Sequence, residues 1–194
     1  MLKLLFATSN QNKLAEISAA LPESFSIYSL RDVSNQISEV EEPYDTLEEN
    51  AIHKASSYAK MTGMNCFSED TGLEVPALNN EPGVRSARYA GEPSDPQKNI
   101  DLLLTKLNDN KHRSAHFRTV IALVLNDQLF TFEGICKGSI INEQKGSNGF
   151  GYDPIFIPEG ADKTFAEMTT QEKNKFSHRK KALFKMIEFL KTQP

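Results

Sequence analysis

The sequence predicts an α/β protein built on a mixed, twisted sheet, and three observations carry that expectation. The chain opens with a short apolar run, a polar turn and a helical pattern, which is a strand–turn–helix start. Two β-type runs, Ala115 to Leu125 and Leu129 to Ile135, are separated only by Asn126-Asp127-Gln128, a hairpin signature. Helical spacings recur before and after them. A hairpin in a chain that mixes strands and helices excludes a purely parallel sheet.

The elements follow in order. Lys3 to Ala7 reads as a buried strand. Ser9 and Asn10 supply capping side chains, and Leu14, Ile17 and Leu21 share a helical face that Pro22 closes. Phe25 to Leu30 reads as a second strand, with Phe25 and Ile27 on one side. Glu39-Val40-Glu41-Glu42-Pro43 is an acidic loop. Thr46 with Glu49 three residues on matches a capping box. The long helix behind it carries Leu47, Ala51, Lys54, Ala55 and Tyr58 on one face and stops at Gly63. Cys66-Phe67-Ser68 reads as a short strand that ends in Glu69-Asp70-Thr71-Gly72. Pro82-Gly83 and Gly91 to Pro96 are turns, and Asp95 starts a helix with Ile100, Leu103, Leu104 and Leu107 on one side. The hairpin leads to a glycine-rich loop, Gly146 to Tyr152. A final helix from near Ser177 carries Leu183, Met186, Ile187 and Leu190 as its core face.

Bulk properties narrow the class. A length of 194 residues suits one domain over 1–194, given about 150 residues per domain. The 39% hydrophobic content supports a real core rather than disorder. No apolar stretch approaches the ~18 residues needed to span a bilayer. Thr8-Ser9-Asn10 interrupts the first apolar run too early for a signal peptide, so a cytoplasmic protein with no membrane partner is expected. Lys and Arg total 22 against 26 for Asp and Glu. The balance of −4 argues against a nucleic-acid-coating protein. It leaves room for a small anion held by a local cation or a metal. Cys66 and Cys136 form no C-x-x-C pair and read as buried thiols in a reducing compartment. The four histidines form no H-E-x-x-H pattern.

Four clusters hold the candidate chemistry. Thr8, Ser9, Asn10, Gln11, Asn12 and Lys13 lie between a strand and a helix, where unpaired N–H groups and the helix dipole favour an anion. Read alone, the same segment is also an ordinary N-cap with a solvated lysine. No Gly-Lys-Ser or Gly-Lys-Thr occurs, so a Walker A loop is absent. Glu69 and Asp70, together with Glu41 and Glu42, supply carboxylates from two separate segments. One from each pair suffices for magnesium, which keeps several waters and takes phosphate oxygens. The bland reading of Glu39 to Glu42 is a solvated acidic loop. Gly149-Phe150-Gly151-Tyr152-Asp153-Pro154 offers tight turns, two aromatics suited to base stacking and a carboxylate for orientation. The same string also fits a long turn whose aromatics pack in the core. Lys173 and Ser177-His178-Arg179 place cations near a helix start, where the dipole disfavours them unless an anion or a base acceptor compensates. Plain surface charge is the alternative.

Taken together, the ordered strings Thr8-Ser9-Asn10-x-x-Lys13, Glu69-Asp70-Thr71-Gly72, Gly149-Phe150-Gly151-Tyr152-Asp153-Pro154-Ile155-Phe156 and Ser177-His178-Arg179 closely resemble the inosine/xanthosine triphosphate pyrophosphatase family. Glu49-Asn50-Ala51-x-x-Lys54-Ala55 and Pro82-Gly83-x-x-Ser86-Ala87-Arg88-Tyr89 resemble it too. The resemblance implies a long mixed sheet flanked by helices, in two lobes with a nucleotide cleft between them. It implies hydrolysis of ITP, dITP and XTP to monophosphate and pyrophosphate, with magnesium and a homodimer. Asp70 matches the family's proton acceptor and metal ligand, and Glu41 its other metal ligand. Thr8 to Lys13 and Thr71 match substrate contacts; Phe150, Gly151, Tyr152, Asp153, Lys173, His178 and Arg179 match residues that hold the nucleotide. The resemblance also implies a phosphate contact at Lys54. Glu69 stands where many bacterial members carry Asp, and Thr71 where many carry Ser. Arg85 stands at a position expected to be apolar or aromatic.

The expected mechanism has magnesium bridging Glu41, Asp70 and the triphosphate, with Asp70 activating water for attack on the α-phosphorus. Lys13 and the helix start neutralise the leaving pyrophosphate. Lys173, His178 and Arg179 are the expected donors to a 6-keto purine. Two other readings stay open: a pyrophosphatase for another modified nucleotide, and a nucleotide-binding module that does not hydrolyse.

Overall fold

The computed structural model describes residues 2–18, 25–33 and 38–193. The expected Leu21 and Pro22 helix end lies outside them. The strands are β1 (Leu2–Phe6), β2 (Phe25–Ser29), β3 (Cys66–Val75), β4 (Glu81–Pro82), β5 (Ser114–Leu125), β6 (Gln128–Ile140) and β7 (Phe156–Pro158). The helices are α1 (Gln11–Ser18), α2 (Leu30–Val33), α3 (Leu47–Thr62), α4 (Pro96–Leu107), α5 (Thr170–Phe176) and α6 (His178–Lys191). Among the described residues the strands form one seven-stranded sheet in the order β2-β1-β3-β5-β6-β7, with β4 on β3. β1 pairs parallel to β2 and to β3, whereas β4 runs antiparallel to β3 and β7 to β6. The sheet is therefore mixed, as expected.

Local chemistry explains the boundaries. The Thr46 side chain caps α3 by accepting from Glu49 N, and Gly63 closes it in the left-handed region at φ 66°. Asp95 caps α4 by accepting from Gln97 N and Lys98 N, with Pro96 at the first helical position. Asn126 and Asp127 take φ of 49° and 63°, the backbone a two-residue hairpin turn demands.

The chain divides into two compact units. The first comprises Met1–Asp70, Thr119–Gly134 and Arg179–Pro194. One of its cores joins Leu4, Phe6, Ile17 and Phe67 to Ile121, Leu123, Leu183, Met186 and Leu190. A second small core holds Leu5, Ala7, Tyr58 and Cys66. The second unit comprises Thr71–Arg118 and Ile135–His178. Its core contains Leu73, Val75, Ile100, Leu103, Phe117, Ile140, Phe156 and Phe165. Each such side chain, fully buried, contributes about 1.5–3 kcal/mol. The four expected core residues of α6, Leu183, Met186, Ile187 and Leu190, are all buried.

Three expectations are corrected. β3 does not stop at Glu69-Asp70; it runs on to Val75, because Leu73 and Val75 continue the period-2 burial into the second core. Asp70 therefore sits inside a strand, not at its end. β6 extends past Ile135 to Ile140, with Cys136 and Ile140 buried in the same core. α5 and β7 were not expected. α5 has no buried residue, so hydrophobic spacing is silent there, although Thr169 and Glu172 form a complete capping box.

Candidate active site

In the first unit, β1 delivers its C-terminal end to the Thr8–Lys13 segment. Ala7 N donates to Phe67 O at 2.8 Å, which ties the start of this segment to β3. Thr8 Oγ1 accepts from Asn10 N at 3.2 Å, and Asn10 Oδ1 accepts from Lys13 N at 3.2 Å. Asn10 is thus the cap of α1. Ser9, Asn10 and Gln11 are exposed, and Thr8 and Lys13 are half-buried. The side chain of Asn12 lies outside the described set.

Glu69 is buried on β3, with Arg179 and Lys13 around it. Arg179 Nε donates to its two oxygens at 2.9 and 2.8 Å. Lys13 Nζ stands 3.3 Å from Oε1. A second arm of Arg179 pairs with Glu16. Burial alone raises the Glu69 carboxyl; Arg179 and then Lys13 outweigh it and hold it below the usual range. Glu69 and Glu16 push the Arg179 guanidinium above its usual value despite burial. The anions that offset the Arg179 cation at the start of α6 are therefore Glu69 and Glu16. Glu16 was missed by sequence reasoning; its spacing of three from Lys13 on one short helix was the available signal.

Asp70 is 6% exposed. Two residues earlier on β3, Ser68 Oγ donates to Ala51 O of α3 at 2.6 Å. Strand alternation puts Asp70 on that α3 side, opposite to Glu69. The segment carrying Glu41 is fastened to the same helix by three side chains spaced four apart. Asn50 exchanges two 2.9 Å bonds with the Tyr44 backbone. Lys54 pairs with Glu42. Tyr58 Oη accepts from Val40 N at 3.2 Å and donates to Ser38 O at 3.4 Å. Glu41 itself is exposed. Lys54, expected as a phosphate contact, pairs with Glu42 and so also tethers this segment. The acidic loop is thus a held strap, which the spacing of Asn50, Lys54 and Tyr58 on one helix face could have signalled.

In the second unit, Thr71 is half-buried just past Asp70. Asp153 is buried and accepts from Phe150 N at 2.9 Å and from Lys173 Nζ at 2.7 Å. Gly149 adopts φ +76°, and a Cβ there would stand 2.0 Å from Asp153 Oδ2, so only glycine admits this latch. Lys173 Nζ lies 5.2 Å from the Phe150 ring centroid and 5.3 Å from that of Phe165. His178 is buried and stacks on Phe117 at 4.8 Å. Phe117 in turn stacks on Phe165 at 6.0 Å, so Lys173 and His178 flank one aromatic group. Tyr152 points into the core and donates to Ser86 O at 2.9 Å. Its ring is a support of the loop. Phe150, half-buried, is the aromatic left at the surface of that loop.

Among the described residues, no group of three or more His, Cys, Asp or Glu side chains could hold a metal ion. No described helix is long and apolar enough to cross a membrane. Cys66 and Cys136 are buried thiols with no disulfide.

The chain as a whole has close counterparts. The chain is 51% identical over 189 residues to a protein of Flavobacterium johnsoniae named dITP/XTP pyrophosphatase, covering 97% of this chain and 98% of that one. It is 47% identical to the one of that name from Porphyromonas gingivalis, covering 98% of each. Among solved structures, a HAM1 protein from Coxiella burnetii aligns over 100% of both chains at TM-score 0.92 and 38% identity. A nucleoside-triphosphatase / dITP/XTP pyrophosphatase from Mycobacterium abscessus aligns at TM-score 0.80 and 43% identity, over 96% and 99%. The Ham1 family model matches residues 4–189, from the first core strand to the last helix, so every residue set described above lies within it and the chain belongs to the Ham1 family.

Proposed function

We propose that this chain hydrolyses the deaminated purine nucleoside triphosphates dITP, ITP and XTP to the monophosphate and pyrophosphate. The observation that carries this reading is near-end-to-end similarity to relatives named dITP/XTP pyrophosphatase. The side-chain chemistry supports it. Thr8, Ser9, Asn10, Gln11, Asn12, Lys13, the start of α1 and Thr71 take the polyphosphate. Phe150, Gly151, Tyr152, Asp153, Lys173 and His178 take the nucleoside, with Phe150 as the stacking ring and Tyr152 and Asp153 as its frame.

Magnesium is the cation we assign, and the donors suit it. Glu41 and Asp70 offer hard carboxylate oxygens, whereas Glu69 is committed to Arg179 and Lys13. Two protein carboxylates leave places for water and phosphate oxygens, the shell magnesium prefers. When bound, the ion draws charge off the phosphates. Asp70 accepts the proton of a water that attacks the α-phosphorus. The bond from that phosphorus to the bridging oxygen breaks, and pyrophosphate leaves with the electron pair. Lys13 and the α1 N–H groups meet the charge that develops.

Selectivity against ATP follows from the donors, whereas GTP shares the 6-keto oxygen and is not separated by them. Lys173 and His178 satisfy a 6-keto oxygen; a 6-amino group leaves them unpaired, a mismatch that a built site discriminates by about 10⁴-fold. The same reading carries a homodimer in the cytoplasm. Pyrophosphate release from a panel of dITP, ITP, XTP, dUTP, ATP and GTP tests it. Preference for the first three supports the reading, preference for dUTP points to another base, and binding of ITP without turnover marks a non-hydrolytic module.

A further inference from the structure

Glu69 serves two cations at once, and the two contacts are unequal. Arg179 is 4% exposed in its side chain, grips both Glu69 oxygens through Nε and pairs with Glu16 as well. Lys13 reaches only Oε1, at 3.3 Å, and its side chain keeps 17% exposure. Its backbone N–H is the one that Asn10 caps, at the end of α1 that favours anions. Two carboxylates, Glu16 and Glu69, face two cations, Lys13 and Arg179, so the charges of these four side chains balance. Such a balanced set has little net pull on a polyanion until one cation changes partner.

We propose that Glu69 is a positioning residue that stands in for a phosphate. It holds Lys13 aimed before the substrate arrives, yields it to the polyphosphate, and takes it back as pyrophosphate leaves. Arg179 makes the exchange affordable: while Lys13 is away, the buried Glu69 carboxylate keeps its two-oxygen contact with the guanidinium and is never left uncompensated. Replacing one anion by another on Lys13 makes the net gain small, which keeps the product from being held too tightly. Asp70 takes no part, since it lies on the opposite face of β3. The inference rests on the assignment of Lys13 to the phosphates and gives it a counter-ion.

Calorimetric binding of inorganic pyrophosphate, with magnesium and without, tests it on wild type, Glu69→Gln, Glu69→Asp, Lys13→Gln and the Lys13→Gln/Glu69→Gln pair. Lys13→Gln is expected to weaken binding. Glu69→Gln is expected to tighten it about tenfold, or about 1.4 kcal/mol, a direction that structural damage does not produce. The tightening vanishes in the double variant. Glu69→Asp keeps the charge beside Arg179 but withdraws it from Lys13, and tightens binding by a smaller factor; it decides the matter if Glu69→Gln does not fold. Unchanged or weaker binding in the glutamate variants, with Lys13→Gln still weakened, overturns the exchange alone. Unchanged binding in Lys13→Gln overturns the phosphate assignment itself.

Discussion

Glu69 and Asp70 are adjacent in the chain and face opposite sides of β3. Glu69 meets Arg179 and Lys13, while Asp70 shares the side on which Ser68 bonds to α3. Two neighbouring carboxylates thus have separate surroundings: cations engage Glu69, and Asp70 is the one we propose as acceptor of the water's proton. Asp70→Asn keeps the shape and removes the base, so kcat for dITP is expected to fall by about 10²–10⁴. Steady-state kinetics checks this, and turnover within a factor of two of wild type contradicts the role.

The strap that carries Glu41 is held by Lys54 through Glu42. Lys54→Met leaves the Asn50 and Tyr58 tethers intact and loosens the middle. We expect the magnesium concentration for half-maximal activity to rise about tenfold, the scale on which a supporting residue acts on a metal site. Titration with magnesium and direct calorimetry of the ion both report it. A phosphate contact would instead raise KM for the nucleotide at saturating magnesium.

Gly149→Ala drives a methyl into the Asp153 carboxylate and forces alanine into positive φ. The expected cost is about 1–3 kcal/mol of stability, read by denaturant melts. Selectivity for dITP over dATP should fall with it, because Asp153 holds both Phe150 and Lys173. Pyrophosphate affinity should stay near wild type.

A pH prediction comes from Glu81, which accepts from Lys106 at 2.6 Å and from Tyr89 at 2.7 Å. The hydrogen bond from Lys106 is the largest cause holding its carboxyl below the usual range, followed by that from Tyr89. A depressed folded-state value means stabilisation present above the unfolded-state value and lost as pH falls through the folded one. Lys106→Met should therefore be less stable than wild type at neutral pH. The two should converge in acid once Glu81 is protonated, and urea melts across pH check it.

Much of this was legible in the sequence. Thr46, Gly63, Asp95 and the Asn126-Asp127 turn act locally, through caps and backbone preferences, so α3, the start of α4 and the hairpin turn fell where expected. The candidate residues were likewise found from short strings. What the strings could not give was partnership. Arg179 and Glu69 are 110 residues apart, and nothing local links them. Tyr152 looks the same in sequence whether its ring faces a base or the core; its burial beside Phe156 decided the matter. The length of β3 was missed because the polar run Glu69-Asp70-Thr71 breaks the apolar signal, whereas the burial of Leu73 and Val75 carries the strand through it.

Hydrolysis of dITP in heavy-oxygen water, with mass spectrometry of both products, tests the central claim most directly. Attack at the α-phosphorus places the label in dIMP and leaves the pyrophosphate unlabelled. Label in pyrophosphate or in inorganic phosphate, or no turnover of dITP in magnesium, contradicts it.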